Sequence, residues 1–197
     1  MPLFVGTDIG GTFTDLVGYD SGRGALFFGK TLTTSADLVT GVMTCLAEVG
    51  IDPGAVDVLK HGTTQIINTL LERTGAKTAL VTTEGFRDVV EIGRASRPLA
   101  FDLDYRRPPP LVPAPLRLEL RERIAADGTV LEPLHEEDLE RLAVELETLD
   151  VGAVAISLLN AYRDPRHEQR AAEFLRRRLP HAFVCAGTEL SREWFEY

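Results

Sequence analysis

Several things are scarce in this sequence, and each scarcity closes off a class of protein. Of 197 residues only two are cysteine, Cys45 and Cys185. They form no C-x-x-C pair and each lies in an apolar periodic stretch, so no zinc or redox motif is present and buried thiols in a reducing compartment are expected. No apolar run approaches the ~18 residues of a membrane span. The N-terminal "MPLFVGTDIGG" has neither a basic n-region nor a long apolar h-region, which leaves a cytoplasmic location as the expectation. Positive charge is also short: 21 Lys and Arg against 30 Asp and Glu give a formal net charge of −9. Nucleic acids and anionic membranes require a clustered basic face, and the composition argues against both as partners. The basic run Arg176 to Arg178 falls in an amphipathic helical pattern and reads as a solvated face.

What is present is an ordinary globular composition, 44% hydrophobic and 26% charged, long enough for one large or two small cored domains. "LFVGTDI" (residues 3 to 9) reads as a buried strand that ends in a turn at Gly10-Gly11. "TFTDLVGYD" and "GALFFGKTLT" follow as strands, giving an antiparallel meander. Ser35 is a plausible N-cap for a helix presenting Leu38, Val42, Met43, Leu46 and Val49, with Gly50 as its stop. "VDVLKHG" is a short strand, and the next helix is expected to face Ile66, Ile67, Leu70 and Leu71 inward before "KTALVTTEGF" returns as a strand. The stretch from Arg94 to Leu118, with "RRPPPLVPAPL", cannot hold regular structure. Asp127-Gly128 marks a hairpin. A helix from His135 to Leu149, a strand "VGAVAISLL", a helix started by Asp164-Pro165 and a strand "HAFVCAG" complete the order. The whole reads as an α/β mixed sheet beginning with a three-stranded meander, with helices on both faces and a Pro-rich and hairpin insertion.

"DIGGTFTD" is the most informative stretch. A dinucleotide fingerprint needs G-x-G-x-x-G opening a helix, but a strand follows these glycines. A P-loop needs lysine where Thr12 stands. A strand-turn-strand loop remains, in which backbone N–H groups and hydroxyls meet phosphate without a lysine. Gly10 and Gly11 would let the backbone approach the ligand, Thr12 and Thr14 would donate to phosphate, and Asp8 would hold Mg²⁺ through waters. Asp15 is either a second acidic group near the metal or a residue that ties the hairpin together. The competing reading is a plain tight hairpin with solvated aspartates.

"DIGGTFTD" resembles the first phosphate motif of actin-like ATPases. Together with "HGTTQIINTLLERTGAKTALVTTEGFRDVVEIGRASRP" and "AISLLNAYRDPRHEQRAAEFL", it makes nearly the whole chain resemble the N-terminal region of the hydantoinase/oxoprolinase family. Gln65 with Ile66-Ile67 departs from the smaller residues expected before Asn68. The resemblance implies a ribonuclease H-like (actin-like ATPase) fold and a domain over residues 1–190. Within it lie a first sheet portion (1–93), an insertion (94–134) and an α/β completion (135–190), with 191–197 starting the next region. It implies ATP and Mg²⁺ as cofactors, and opening of a cyclic amide (hydantoin, 5-oxoproline or a related lactam) through a phosphorylated intermediate. The alternatives are an ATP-dependent ketone carboxylase of the same family, another actin-like kinase, or a non-catalytic nucleotide-binding or assembly module. The implied partners are the rest of the A-type subunit, a B-type subunit and an oligomeric parent.

A second constellation, "KHGTTQIINTLLE", ends a strand and opens a helix. Thr63 and Thr64 there can cap the helix or meet an anion at its N-terminus. His61 is a candidate acid or base, or else a structural histidine. Arg87 and Glu91 are spaced as an i, i+4 pair, and the resemblance puts Arg94 and Arg97 beside the cleft. No second glycine-threonine turn appears, so this chain is expected to carry half of a nucleotide site and to be inactive alone.

Overall fold

The computed structural model describes residues 1–95 and 101–194. The chain divides into two compact units, Met1–Thr74 and Gly75–Tyr197.

The first unit opens with the expected meander: β1 (Leu3–Ile9), β2 (Phe13–Asp20) and β3 (Ala25–Leu32). Helix α1 (Leu38–Glu48), strand β4 (Val58–Thr63) and helix α2 (Gln65–Glu72) follow. The sheet order is β3-β2-β1-β4, antiparallel within the meander and parallel between β1 and β4. Side chains alternate across a strand, so Val5 and Leu16 turn to one face and meet Cys45 and Leu46 of α1. Gly41 permits that approach, since a Cβ there would lie 2.9 Å from Thr14 Oγ1. The cap of α1 is Asp37 rather than Ser35: its carboxylate accepts from Val39 N at 3.1 Å. Gly50, at φ +70°, ends the helix as expected.

Two expectations fail in this unit. Ile66, Ile67, Leu70 and Leu71 of α2 are all more than half exposed. The helix instead turns Gln65 and Asn68 toward the β1–β2 turn. Nor do helices cover both faces of the sheet: α1 packs on one, while Phe4, Val17, Tyr19, Leu26, Phe28 and Val58 remain exposed on the other. The buried apolar cluster here is small, namely Val5, Leu16, Cys45, Leu46 and Ile51.

The second unit contains β5 (Thr78–Thr83), α3 (Val89–Ile92), β6 (Arg117–Leu120), β7 (Arg123–Ile124) and β8 (Val130–Glu132). It continues through α4 (Glu136–Thr148), β9 (Ala153–Ser157), α5 (Arg166–Arg178), β10 (Phe183–Ala186) and α6 (Gly187–Leu190). A separate four-stranded sheet, β10-β9-β5-β6, is parallel throughout. The single sheet read from the sequence is therefore two, because β5 pairs with β6 and β9 and not with β4. Leu139, Leu142, Ala143 and Leu146 of α4 and Ala171, Ala172 and Leu175 of α5 bury the face formed by Val81, Leu120, Val154, Ile156 and Val184. At about 1.5–3 kcal/mol for each fully buried large aliphatic side chain, this core far outweighs that of the first unit. The hairpin around Asp127-Gly128 forms as β7 and β8.

The segment after Gly85 makes the single turn α3, and its acidic residues pair with Arg117. Its buried guanidinium lies 2.8 Å from Glu91 and 3.3 Å from Asp88, which replaces the expected Arg87–Glu91 pair. The basic run lies on the exposed face of α5, as expected, and two of its members are paired there: Arg176 donates to Val184 O and Glu189, and Arg178 pairs with Glu147. Cys45 is fully buried, and burial pushes its thiol up from the ordinary value. Cys185 is half-buried. Among the described residues no helix is long and apolar enough to cross a membrane.

Candidate phosphate turn and its supports

The turn between β1 and β2 is held from three sides. Gly10 N donates to Phe13 O at 2.9 Å and closes it. From the end of β3, Thr33 Oγ1 donates to Gly10 O and Thr33 N to Thr12 O, both at 2.9 Å. From the β4–α2 junction, Thr64 N and Thr63 Oγ1 donate to Ile9 O at 3.1 and 3.2 Å, and Gln65 Nε2 donates to Gly10 O at 2.8 Å. The two constellations read separately in the sequence thus meet at one place.

The carbonyls of this turn are engaged from behind, but the amides of Gly11 and Thr12 donate to no group among the described residues. Both residues are exposed. Adjacent free amides on a rigid turn form a concave patch of partial positive charge that accepts an anion. The glycines are needed for packing as well. A Cβ at Gly11 would lie 3.0 Å from Asn68 Nδ2, and one at Gly10 would lie 3.1 Å from Phe13 O.

Asp8 stands two residues before the turn, exposed, with Asp15 as its cross-strand partner and Gly62 as its parallel neighbour. Gly62 leaves space there: a Cβ at this position would lie 3.5 Å from Asp8 Oδ1. Asp15 takes an ion pair from Lys30 at 2.7 Å, and that ammonium also sits 4.6 Å over the Phe13 ring. This pair ties β2 to β3 and not the two strands of the glycine hairpin. Among the described residues no three His, Cys, Asp or Glu side chains cluster as metal ligands. A hydrated Mg²⁺ that takes phosphate oxygens needs only one or two carboxylates, so Asp8 fits that demand.

Thr14 and His61 lie elsewhere. Thr14 is fully buried on the α1 side, its hydroxyl 3.2 Å from that of Thr33, and so turns away from Asp8. His61 pairs in register with Thr7, whose Oγ1 lies 2.9 Å from His61 Nδ1, on the same α1 face. There it closes one end of an apolar groove of about 460 Å³ lined by Ile9, Leu38, Val42, Met43 and Leu59. Thr63 Oγ1 also accepts from Gln65 N and is occupied as a local cap, while Thr64 stands exposed beside Gly10. Arg94 lies in the second unit, and Arg97 falls outside the described residues. Gln65 and Thr33 were missed as supports. Thr33 carried no signal, and Gln65 showed only as a departure from the expected small residue.

The family is shown by comparison. The profile described as "Hydantoinase/oxoprolinase N-terminal region" matches residues 4–179, and the chain belongs to that family. It is 37% identical to an uncharacterized protein of Methanocaldococcus jannaschii over 98% of this chain and 29% of that one. It is 35% identical to the caprolactamase alpha subunit of Pseudomonas jessenii, again over 98% of this chain and 29% of the relative. The crystal structure of that ATP-dependent caprolactamase superposes with a TM-score of 0.79. A nucleotide-free acetone carboxylase structure superposes at 0.84 with 26% identity, covering 98% of this chain and 30% of that one. The chain thus spans less than a third of the length of the relatives it matches.

Proposed function

We propose that this chain forms one wall of the ATP site in an enzyme that opens a cyclic amide. The observation that carries the reading is the pair of free, exposed amides at Gly11 and Thr12 on a turn braced by Thr33, Thr63 and Gln65, with Asp8 beside it. In this reading Gly10, Gly11 and Thr12 cradle phosphate, Thr64 flanks them, and Asp8 orients the waters of Mg²⁺. Bound Mg·ATP supplies the phosphoryl group that activates a carbonyl oxygen. The chain's contribution is to position it and to neutralise charge. Thr14 acts as a packing residue under the turn, and His61 as a wall of the apolar groove. A ribonuclease H-like fold for the first unit is supported by the order β3-β2-β1-β4, a meander flanked by a parallel strand. The domain extends to about residue 190 and works in the cytoplasm with the remainder of an A-type subunit, a B-type subunit and oligomeric partners. Relatives that are themselves named as subunits support that view.

Ring opening is preferred to carboxylation on coverage: caprolactamase is 35% identical over 98% of the chain, against 34% over 86% for an acetophenone carboxylase subunit and 30% over 87% for an acetone carboxylase subunit. The backbone match to acetone carboxylase keeps carboxylation as the second reading. Amide NMR of the 197-residue chain with a magnesium complex of a non-hydrolysable ATP analogue tests the site. Shifts centred on Gly11 and Thr12 are expected, and shifts confined elsewhere overturn the assignment. In the full-length enzyme, Asp8→Asn is expected to abolish ATP turnover with the fold intact; unchanged turnover removes the metal role.

A further inference from the structure

The parallel sheet of the second unit carries a site that the phosphate turn does not use. Its order β10-β9-β5-β6 has a reversal in the middle. The chain leaves β5 toward β6 on one side and leaves β9 toward β10 on the other. Connections that diverge from two adjacent parallel strands open a crevice beyond the strands' carboxyl ends, where ligands of open α/β sheets bind. Here those two strands are β5 and β9, with Thr82 and Ser157 in register.

A crevice of about 380 Å³ adjoins that position, at the carboxyl ends of β9 and β10. Leu80, Val90 and Ala161 give it an apolar wall, while Ser157, Tyr162, Thr188, Ser191, Glu168 and Glu193 supply its polar groups. A second hollow of about 250 Å³ joins it through Leu80, Val90 and Ser157. Among the described residues neither is lined by Lys, Arg or His.

Glu168 decides the chemistry. It is 2% exposed, and its carboxylate accepts from Leu158 N at 3.0 Å, Thr188 N at 2.8 Å and Thr188 Oγ1 at 2.6 Å. These three donors leave about one of the roughly four lone-pair positions of a carboxylate open. A buried carboxylate among hydroxyls, facing a short apolar wall with no cation among the described lining residues, is complementary to an ammonium group on a short aliphatic body.

We infer that the crevice at the carboxyl ends of β9 and β10 binds a small primary amine, with its ammonium on Glu168 and its aliphatic part against Leu80 and Val90. The inference is independent of the ATP reading, because none of these residues belongs to the turn.

The test is titration of the 197-residue chain at neutral pH with n-butylammonium, n-butanol and n-butyrate, followed by amide NMR. Leu158 N and Thr188 N report directly, since both donate to Glu168. Saturable shifts at these two amides with butylammonium, and not with butanol or butyrate, are expected. Ser157→Leu, which fills the crevice from the strand without touching Glu168, is expected to abolish them while the rest of the spectrum is retained. Glu168→Gln is expected to do the same where that variant folds. Absence of saturable shifts, equal response to butyrate, or retained binding in Ser157→Leu each overturns the site.

Discussion

Gln65 reaches back from the first turn of α2 and donates its Nε2 to the carbonyl of Gly10 at 2.8 Å, bracing the candidate phosphate turn from the start of the next helix. Removing it with Gln65→Ala deletes one hydrogen bond whose net worth is about 0.5–1.5 kcal/mol, enough to change a binding constant severalfold. The expected outcome is weaker binding of a magnesium–nucleotide analogue, read by titration calorimetry on the full-length protein, with an unchanged melting profile. Full affinity in Gln65→Ala would show that the turn holds its shape without the brace.

Gly11 and Asn68 form the second pair to test. Gly11→Ala drives a Cβ to 3.0 Å from Asn68 Nδ2, the movable end of a side chain. Overpacking of this kind costs about 1–3 kcal/mol when the neighbour cannot yield. Asn68→Ala in the same chain is expected to restore most of the loss, and a double-mutant cycle on nucleotide affinity and thermal stability measures the coupling. Additive effects would mean the two side chains do not crowd each other.

The glycine turn, the meander, the hairpin at Asp127-Gly128 and helix α4 were legible because each rests on a local rule: turn chemistry, alternation or 3.6-residue periodicity. Failures occurred where a partner distant in sequence decided the outcome. Ile66, Ile67, Leu70 and Leu71 have the period of an inward face, yet the contacts of α2 are polar ones made by Gln65 and Asn68 with a turn more than fifty residues earlier. Thr14 reads as a phosphate donor in the motif, but strand alternation assigns it to the α1 face with Thr33. Arg117 looks like a surface residue in "LRLEL", and only the folded sheet reveals it as the buried anchor of Asp88 and Glu91.

Within the second unit, Glu122 is the center of a buried polar chain. It accepts from the Thr83 hydroxyl on one oxygen and lies 2.8 Å from His167 Nδ1 on the other, while Thr83 accepts from Leu159 N. Glu122→Ala would leave the Thr83 hydroxyl proton without its acceptor and His167 Nδ1 without its partner, at about 1–3 kcal/mol each. Thermal denaturation is expected to show a clear fall in Tm for Glu122→Ala and a smaller one for Glu122→Gln, which keeps hydrogen-bonding capacity. Equal stability of wild type and Glu122→Ala would contradict the network.

Acid sensitivity should register at the start of α5. The Arg166 side chain, and then its backbone amide, hold the Asp164 carboxyl below its ordinary value. A depressed folded value stabilises the fold above the unfolded value of about 3.9 and loses that contribution as pH falls through the lower folded one. The stability gap between wild type and Asp164→Asn is therefore expected to be constant from neutral pH to about 5 and to close below about 4. A gap independent of pH down to strong acid would rule out the carboxylate's role.

The uncovered face of the first sheet sets the colloidal behaviour of this chain. Phe4, Tyr19, Leu26 and Val58 form one continuous row across all four strands, with Phe28 and Val17 in the row beside it. Against that adhesive surface stands a net charge of −9, whose mutual repulsion holds molecules apart only while it is unscreened. Added salt shortens the reach of that repulsion to about 8 Å at physiological ionic strength and about 3 Å at 1 M. Sulfate additionally strengthens apolar association. The chain is thus expected to stay dispersed in dilute buffer and to self-associate as ionic strength rises, the reverse of a protein held together by ion pairs, and light scattering against salt concentration checks it.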